Sequence, residues 1–358
     1  MRIAIDAMGG DDAPRGIIDG ALVAARRHQI GLLLVGDQSR VERELSRHPA
    51  AGSLDLQILD TPDAIAMSEA ASSALRRKPR ASIKLAAEAV RDGRAAAMFS
   101  AGHTGGSVMA AIGTFGRLAA VDRPALATII PTKQRPAVLL DSGATVECRP
   151  QHLVQFALMG AAYAQVAFGC SNPRVGLLSV GEEEGKGNEL TREAHQLLKT
   201  APVNFVGNVE GRHVYAGEAD VIVCDGFTGN ITLKISEGLV ETIEALLHAE
   251  LQSTFGTRVG YLLSGQAFRR FRKRVDYSEY GGAPLLGMDH VCIVGHGRSS
   301  PKAVSNAVTM AVRAVREGLI ERLCAATARG TPRSAIGPIT RSADGSVNAS
   351  SDRSIDKS

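Results

Sequence analysis

Short apolar stretches recur along the whole chain, and nearly every one ends in glycine beside a small polar or acidic residue. The loops that follow these stretches lie at residues 6–14, 100–106, 139–145, 179–189, 207–211, 224–230 and 294–300. Longer helical segments separate the stretches, and strands that alternate with helices predict βαβ units. The sequence therefore predicts an α/β fold with a layered, mainly parallel sheet.

The predicted elements occupy residues 1–330, which we expect to form one domain. We expect strands at 2–7, 31–35, 54–59, 95–100, 127–131, 137–141, 174–180, 204–206, 220–224 and 290–294. We expect helices at 15–28, 38–47, 80–92, 105–119, 150–168, 188–199, 229–252, 259–274 and 301–323. Residues 331–358 are rich in Ser, Gly, Pro and Asp, so they bury too little apolar surface to offset their ordering entropy. They are predicted to be a disordered tail.

The glycine-rich loops point to a site for an anion. The carboxyl ends of parallel strands lie at one edge of a sheet, where ligands bind. Glycine permits positive φ angles and a close approach of backbone to ligand. The helices that follow begin with free N–H groups and a partial positive charge. One such loop is explained by an ordinary turn, but seven in one chain predict a convergent anion or phosphate site.

The familiar motifs do not account for these loops. Residues 179–189 resemble a P-loop, but only three residues separate Gly181 from Gly185, and Gly187 replaces the required Ser or Thr. No GxGxxG follows the first strand, no GxSxG elbow is present and no two His residues are spaced i, i+4. We therefore expect no cofactor and no metal.

Several classes of protein are excluded by composition. The chain has no apolar run of about 18 residues, which a membrane-spanning helix requires. Its first strand is interrupted by Asp6 and is not a signal peptide. The five Cys residues are odd in number and far apart in the sequence, which is typical of free thiols in a cytoplasmic protein and not of disulfides. With 4% aromatic residues and no Trp, the composition argues against a protein that binds single-stranded nucleic acid by stacking bases on exposed rings.

Five residues in the loops are candidates for chemistry, each with a plainer alternative. Lys186 lies among glycines before a helix, and either holds a phosphate or is a solvated surface lysine. Asp225 ends an apolar strand, and either orients a reacting group or caps the next helix. His296 lies between two glycines, in a site or in a plain turn. Thr104 and Thr228 either bind an anion or begin helices.

Nine motifs of this chain, in this order, resemble the PlsX family of bacterial phosphate acyltransferases. They are IAIDAMGGDDAP, FSAGHTGG, LLDSGAT, QFALMG, GEEEGKGNEL, NFVGNVEG, DVIVCDGFTGNITLK, YGGAPLLG and GHGRSS, and the resemblance as a whole runs from about residue 2 to residue 323. The resemblance implies transfer of a long fatty acyl group from acyl carrier protein to inorganic phosphate. The acyl phosphate product then feeds glycerol-phosphate acylation in phospholipid synthesis. It also implies a homodimer and a fold like that of phosphotransacetylases and isocitrate or isopropylmalate dehydrogenases.

With this reaction in view, the loop residues take provisional roles. Lys186, Asp225, Asn230 and His296 are the expected catalytic residues, and His296 or His103 would protonate the leaving thiolate. The expected phosphate and substrate contacts are Gly102, His103, Thr104, Gly105, Gly226, Thr228 and Gly229. The sequence departs from the family at His103, where Asn is usual, and at Thr145, where Asn is also usual. These departures bear on substrate contacts more than on the reaction class.

Residues 253–274 are expected to be a basic helical hairpin. Six basic groups and no acid lie between residues 258 and 274, although the net charge of the whole chain is only +4. Arg269, Arg270, Arg272 and Lys273 would face acyl carrier protein, which is acidic, or an anionic membrane surface. The bland alternative is a hairpin at a dimer interface with a solvated basic face. Peripheral attachment at the inner face of the membrane would place the product near a membrane glycerol-phosphate acyltransferase.

Two other functions remain open on the sequence alone. One is an NAD-dependent decarboxylating dehydrogenase on the same fold, which needs clustered Asp residues for a metal and Arg residues that grip a carboxylated substrate. The other is a non-catalytic protein that binds acyl chains or phosphate. The preferred acyl chain length is not encoded in any motif, because the acyl groove would be lined by ordinary aliphatic residues.

Overall fold

The computed structural model describes residues 1–66, 68–275 and 279–330, and the predicted tail lies outside them. Its strands are β1 Arg2–Asp6, β2 Gly31–Gly36, β3 Leu56–Asp60, β4 Ala97–Ser100, β5 Ala125–Leu126, β6 Thr128–Ile130, β7 Ala137–Leu140, β8 Arg174–Ser179, β9 Asn204–Glu210, β10 Val221–Val223, β11 Ala283–Leu286 and β12 Val291–Val294. Its α-helices are α1 Arg15–His28, α2 Gln38–Leu45, α3 Ala71–Arg77, α4 Ser82–Arg91, α5 Thr104–Thr114, α6 Pro150–Phe168, α7 Glu189–Leu198, α8 Gly226–Ser253, α9 Phe255–Leu263, α10 Gly265–Val275, α11 Pro301–Arg316 and α12 Leu319–Gly330. None of the described helices is long and apolar enough to cross a membrane.

The strands form two sheets, and most neighbouring strands are parallel. The first sheet has the order β3-β2-β1-β4-β12-β11-β5, in which only the β12-β11 and β11-β5 pairs are antiparallel. The second has the order β6-β7-β10-β8-β9, in which only the β6-β7 pair is antiparallel. The α/β class and the mainly parallel sheet predicted from the sequence are confirmed.

The strands at the centre of each sheet are covered on both faces. In β1 and β4 every residue from Ile3 to Asp6 and from Ala97 to Ser100 is buried. The same holds for β7 and β10 in the second sheet. Continuous apolar strands of this kind need helices on both sides, and a parallel sheet supplies them through its crossover connections. The strand ends therefore emerge from a rigid core.

The sheets are joined by one extended stretch. The strand predicted at 127–131 is a pair of strands, since β5 bonds to β11 in the first sheet and β6 bonds to β7 in the second. Between them the Ala127 N–H donates to the Pro284 carbonyl at 3.0 Å. The antiparallel strand β11 was not expected, because the flanking glycines and Pro284 conceal it in the sequence.

Two predicted helices are each divided in two. Residues 259–274 belong to α9 and α10, which meet at Ser264 and Gly265. Residues 301–323 belong to α11 and α12, which are separated by Gly318 in the left-handed region (φ 64°). A side chain there would strain the backbone, so glycine permits the break. The prediction of single helices was wrong at both places.

Gly20 allows α1 to pack closely against α11. A Cβ atom at this position would lie 2.3 Å from the Pro301 carbonyl oxygen and 2.6 Å from Val304 Cβ. Both of those atoms belong to the first turn of α11, so the backbone of α1 rests almost directly on that helix. A glycine inside a helix normally weakens it, and here the close packing compensates.

Gly20→Ala should lower the free energy of unfolding by about 1–3 kcal/mol, because the added methyl group overpacks a full interface. The control is Gly113→Ala in α5, since a Cβ there would meet nothing within 4 Å. That variant should be neutral or more stable by up to about 1 kcal/mol. Urea denaturation of the three proteins measures both changes. Equal midpoints for Gly20→Ala and wild type would contradict the packing argument.

Candidate active site

Three glycine-rich loops meet at the carboxyl edge of the first sheet. They follow β1, β4 and β12, which are neighbours in the sheet. The Asp11 N–H donates to the Gly297 carbonyl at 2.9 Å, which joins the first loop to the third. A Cβ atom on Gly9 would lie 2.8 Å from the nitrogen of Gly102, so the first and second loops are in direct contact. These loops form one cluster, which includes the predicted residues Gly102, His103 and His296.

The second loop leads into α5 through His103. This side chain is the N-cap of the helix, and its Nδ1 atom accepts a hydrogen bond from Gly106 N–H at 3.2 Å. The ring atom of His103 that faces the helix is therefore an acceptor. With Nδ1 accepting, the proton of the neutral ring is on Nε2. Thr104 is exposed at the first helical position, and Gly105 follows it.

The second sheet presents its own cluster of loops. The carboxylate of Asp141, at the end of β7, accepts hydrogen bonds from the backbone N–H groups of Leu126, Gly143, Ala144 and Thr145 at 2.6–3.0 Å. Burial raises the pKa of this carboxyl, and the N–H donors oppose the rise. A buried acceptor with this many donors holds the loop 141–145 in one conformation.

The loop after β10 packs tightly on that loop. A Cβ on Gly229 would lie 1.9 Å from the Asp141 carbonyl oxygen, and one on Gly226 would lie 2.6 Å from the Asp141 carboxylate. Only glycine fits at either position. Asn230 is exposed, and it lies beside Gly143, whose own Cβ would be 3.6 Å from that of Asn230. The first turn of α8 is therefore held against the loop 141–145.

Asp225 caps the N-terminus of α8. One carboxylate oxygen accepts from Thr228 N–H at 2.9 Å, and the other accepts from the Thr228 hydroxyl at 2.7 Å. The capping alternative given by the sequence is thus present in the structure. The same contacts orient the Thr228 side chain on the first turn of the helix. Thr228 accordingly belongs to the helix start as well as to the loop.

His296 brings the two clusters near each other. It is half-buried after β12, and its Nδ1 atom accepts from Arg298 N–H at 3.1 Å. Burial lowers the pKa of His296, and so does the positive charge of Lys234 on α8, while Glu237 opposes them. Arg298 approaches Glu241, also on α8, at 3.4 Å. The loop after β12 therefore lies beside the middle of α8, near Lys234 and Glu241.

Lys186 lies at the same edge of the second sheet but apart from the other candidates. Its loop follows β8, the neighbour of β10, and the lysine side chain is exposed. Its backbone N–H donates to Glu183, and its carbonyl accepts from Ser179 at 3.4 Å. Across the described residues, no hydrogen bond or ion pair connects its ammonium group to Asp225, Asn230 or His296.

Sequence reasoning missed the two buried aspartates, Asp6 and Asp141. Both end an apolar strand and precede a glycine-rich loop, as Asp225 does. The recurrence of this arrangement in AIDAMGG, LLDSGAT and VCDGFTG was the available signal. In the part of the chain that the structure describes, no group of three or more His, Cys, Asp or Glu residues could hold a metal ion.

The predicted basic hairpin is partly described. α9 and α10 follow α8, and Phe255, Leu262 and Leu263 at the tip are 79–84% exposed. Arg269 and Arg270 are exposed on α10. The side chains of Arg272 and Lys273 lie outside the described residues. The hairpin thus carries apolar and basic groups on its surface, at the opposite end of α8 from the loops.

Comparison of the sequence with known proteins gives a consistent result. A model of the family described as "Fatty acid synthesis protein" matches residues 1–322. The chain is 49% identical over 328 residues to the phosphate acyltransferase of Nitratidesulfovibrio vulgaris, with 90% of this chain and 95% of that one covered. It is 47% identical over 323 residues to the phosphate acyltransferase of Geobacter sp. strain M21, with 90% and 92% covered.

Solved structures share the fold at low sequence identity. A phosphotransacetylase from Streptococcus pyogenes superposes with a TM-score of 0.60 at 16% identity, covering 88% of this chain and 94% of that one. A branched-chain phosphotransacylase from Enterococcus faecalis gives a TM-score of 0.54 at 12% identity, covering 88% and 99%. The expected likeness to the phosphotransacetylase fold is confirmed.

His103→Ala should lower the free energy of unfolding by about 1 kcal/mol, because it removes the N-cap acceptor of α5. His103→Asn should lose at most a few tenths of that, since Asn is among the best N-cap residues. Urea denaturation at neutral pH compares the two variants with wild type. If the Ala and Asn variants are equally stable, the cap at His103 contributes nothing.

Proposed function

We propose that this chain, which belongs to the fatty acid synthesis protein family and is an acyltransferase, transfers a long-chain fatty acyl group from acyl carrier protein to inorganic phosphate. Relatives named phosphate acyltransferase, 47–49% identical over most of the chain, support phosphate as the acceptor. The observation that carries the proposal is the approach of the His296 loop, at the edge of the first sheet, to the middle of α8, the helix that follows β10 of the second sheet.

The reaction needs no group on the protein to carry the acyl chain. A phosphate oxygen attacks the carbonyl carbon of the thioester and forms the new C–O bond. The resulting tetrahedral oxyanion collapses, the C–S bond breaks, and its electron pair leaves with sulfur as a thiolate. The thiolate then takes a proton. The enzyme has to align the phosphate with the carbonyl and stabilise the oxyanion, which are effects of positioning and electrostatics.

Each cluster of loops has a part in that alignment. The backbone N–H groups of residues 102–106 and 226–230 lie at the N-termini of α5 and α8, where partial positive charge favours an anion. Several of them already donate within the protein, namely those of Gly102, Gly106, Gly226, Thr228 and Gly229. We assign the phosphate and the developing oxyanion to the others. Lys186 adds a positive charge from the adjacent loop. Asp225, through its two contacts with Thr228, and Asn230 keep the α8 terminus oriented.

His296 is suited to stabilise the departing sulfur. Its Nδ1 atom accepts from Arg298 N–H, so the proton of the neutral ring is on Nε2. Because burial and the charge of Lys234 lower its pKa, the ring is neutral at pH 7, so it can donate a hydrogen bond to the thiolate, which takes its proton from water. A thiolate needs little help to leave, so this contribution is small beside that of positioning.

The cysteines near the loops support direct transfer. Nucleophilic catalysis by cysteine requires the thiolate form. Burial raises the pKa of Cys148 to about 12 and raises that of Cys224 well above its ordinary value. Cys224 is also only 3% exposed, so a thioester could not reach it without local unfolding. Transfer within a ternary complex of enzyme, donor and phosphate is the simpler route.

The long helix α8 offers a surface for a second copy of the chain. Its exposed apolar residues recur every four positions along one face, at Phe227, Ile231, Ile235, Leu239 and Ile243. An exposed apolar stripe of this length is typical of an interface between subunits. We propose that the protein is a homodimer and that this face lies between the copies. The sites would then lie beside the dimer axis.

The hairpin of α9 and α10 is proposed as the surface for an acidic partner. Exposed Arg269 and Arg270 lie on the helix that follows the apolar tip. Such a combination suits acyl carrier protein, and it also suits the anionic inner face of a membrane, where the amphiphilic product would be released. Peripheral attachment through the tip would bring a membrane glycerol-phosphate acyltransferase within reach of that product.

The transfer is tested by incubating the purified protein with long-chain acyl carrier protein thioester and phosphate, with hydroxylamine to trap acyl phosphate as hydroxamate. Hydroxamate should form only when phosphate is present. Lys186→Ala should lower the rate roughly 10²–10³-fold, because it removes a positioned cation from the oxyanion. Lys199→Ala is the matched control, since Lys199 pairs with Glu184 of the same loop at 2.9 Å and should keep wild-type turnover.

Other results of this assay favour the alternatives. Nicotinamide reduction with a hydroxy acid, and no hydroxamate, would identify a dehydrogenase. Phosphate or acyl-chain binding without product would identify a binding protein. Equal rates for Lys186→Ala and Lys199→Ala would reject the role of Lys186 and leave the reaction intact. Equal rates from acyl carrier protein and coenzyme A thioesters would reject the choice of donor.

Replacement of Arg269 and Arg270 by Gln should weaken binding to the acidic partner and reduce its salt dependence, because both contacts rest on charge. The control is Arg26→Gln with Arg27→Gln, which removes two exposed charges from α1. A higher KM for acyl carrier protein alone would assign the hairpin to the protein partner, and loss of binding to anionic vesicles alone would assign it to the membrane. If neither changes at low or high salt, the basic face is only solvated.

A further inference from the structure

Asp6 is a buried carboxylate with no part in the transfer steps described above. It ends β1 and is 2% exposed. Its Oδ1 atom accepts from the Ser82 hydroxyl at 2.6 Å and from Met8 N–H at 3.3 Å. Its Oδ2 atom accepts from the Ser100 hydroxyl at 2.7 Å. One side chain thus connects the ends of β1 and β4 and the start of α4.

Ser100 passes the influence of Asp6 on to the loop 101–106. Its hydroxyl donates to Asp6 and at the same time accepts from Gly102 N–H at 3.1 Å. An ionised carboxylate can only accept, so the hydroxyl hydrogen has to point toward Asp6. A lone pair of the oxygen then faces Gly102. The orientation of the Gly102 peptide is therefore set by the Asp6 carboxylate, which is connected to it through two hydrogen bonds.

The backbone around this network is closely packed. A Cβ on Gly9 would lie 2.6 Å from Asp6 Oδ2 and 2.8 Å from the nitrogen of Gly102. Because Gly9 has no side chain, the Asp6 carboxylate and the Gly102 peptide can both lie close to it. A cavity of about 10 Å³ adjoins these groups and is lined by Asp6, Gly9, Gly102 and His103 among others. It is about the size that one water molecule needs.

We infer that Asp6 is a positioning residue, which through Ser100 and Gly102 aims the N–H groups of loop 101–106 at the bound phosphate. This inference rests on the proposed function, in which that loop holds the phosphate. Loss of the relay should weaken phosphate binding more than it weakens the fold. If Asp6 were only structural, the loss of any of its contacts would weaken phosphate binding in proportion to the loss of stability.

Ser82 supplies a matched control because it donates to the same carboxylate. Ser100→Ala breaks the relay to Gly102, while Ser82→Ala removes one hydrogen bond to Asp6 and leaves the relay in place. Each variant loses one hydroxyl hydrogen bond to the Asp6 carboxylate, and Ser100→Ala also removes the acceptor of Gly102 N–H, so we expect a somewhat larger loss in melting temperature for Ser100→Ala than for Ser82→Ala. Asp6→Asn keeps the side-chain volume but turns one acceptor into a donor, which opposes a serine hydroxyl.

The test has two readouts on the whole protein. One is the rise in melting temperature that added inorganic phosphate causes, against chloride of equal ionic strength. The other is the KM for phosphate in the hydroxamate assay. Ser100→Ala and Asp6→Asn should raise the KM about ten- to hundredfold and abolish the phosphate-induced rise. Ser82→Ala should keep the KM for phosphate within about twofold of wild type, which corresponds to less than about 0.5 kcal/mol. It should also keep the phosphate-induced rise in melting temperature within about twofold of that of wild type.

Each outcome separates this inference from the proposed function. Equal KM values for Ser100→Ala and Ser82→Ala would overturn the inference, as would a wild-type melting temperature that phosphate does not raise. A wild-type protein that phosphate stabilises but that forms no hydroxamate would reject the transfer, and the positioning of the loop would still be decided by the melting data. If Ser100→Ala does not fold, the comparison of Asp6→Asn with Ser82→Ala decides the question.

Discussion

Buried carboxylates at strand ends are the interaction on which the loops depend. Asp6 and Asp141 accept hydrogen bonds from hydroxyl and backbone N–H groups in a setting from which water is excluded. Burial is costly for a carboxylate, and the cost is offset only when several donors converge on it. Loops with this much glycine would otherwise sample many conformations. The carboxylates hold these glycine-rich loops in one conformation, so the N–H groups of the loops are oriented without a ligand.

The sequence predicted the periodic features of the fold well, and it predicted contacts between distant segments poorly. The alternation of apolar strands with helices indicated the sheet class, and the glycine-rich loops indicated the carboxyl edges where the candidate residues lie. Asp6 and Asp141 were not selected, because their importance comes from donors such as Ser82 and Leu126 that are remote in sequence. The pairing of Arg298 with Glu241 also depends on tertiary packing that no local pattern records. The split of 259–274 into α9 and α10 depends on a turn at Ser264 that a helical pattern conceals.

The two clusters of loops differ in how they are supported. Around Asp6 two of the donors are serine hydroxyls from β4 and α4, which can rotate. The four donors to the Asp141 carboxylate are backbone N–H groups, whose directions the chain itself determines. The first arrangement is adjustable by substitution of single side chains, whereas the second is built into the backbone.

The helix α8 has one further consequence for this protein. It contains 28 residues and is about 42 Å long, with the Asp141 loop jammed against Gly229 at one end and the exposed hairpin at the other. The helix is continuous from its first turn beside that loop to the start of the hairpin. If a partner bound at the hairpin tilted this end of α8, the backbone N–H groups of its first turn would move as well, because no break in the helix separates them.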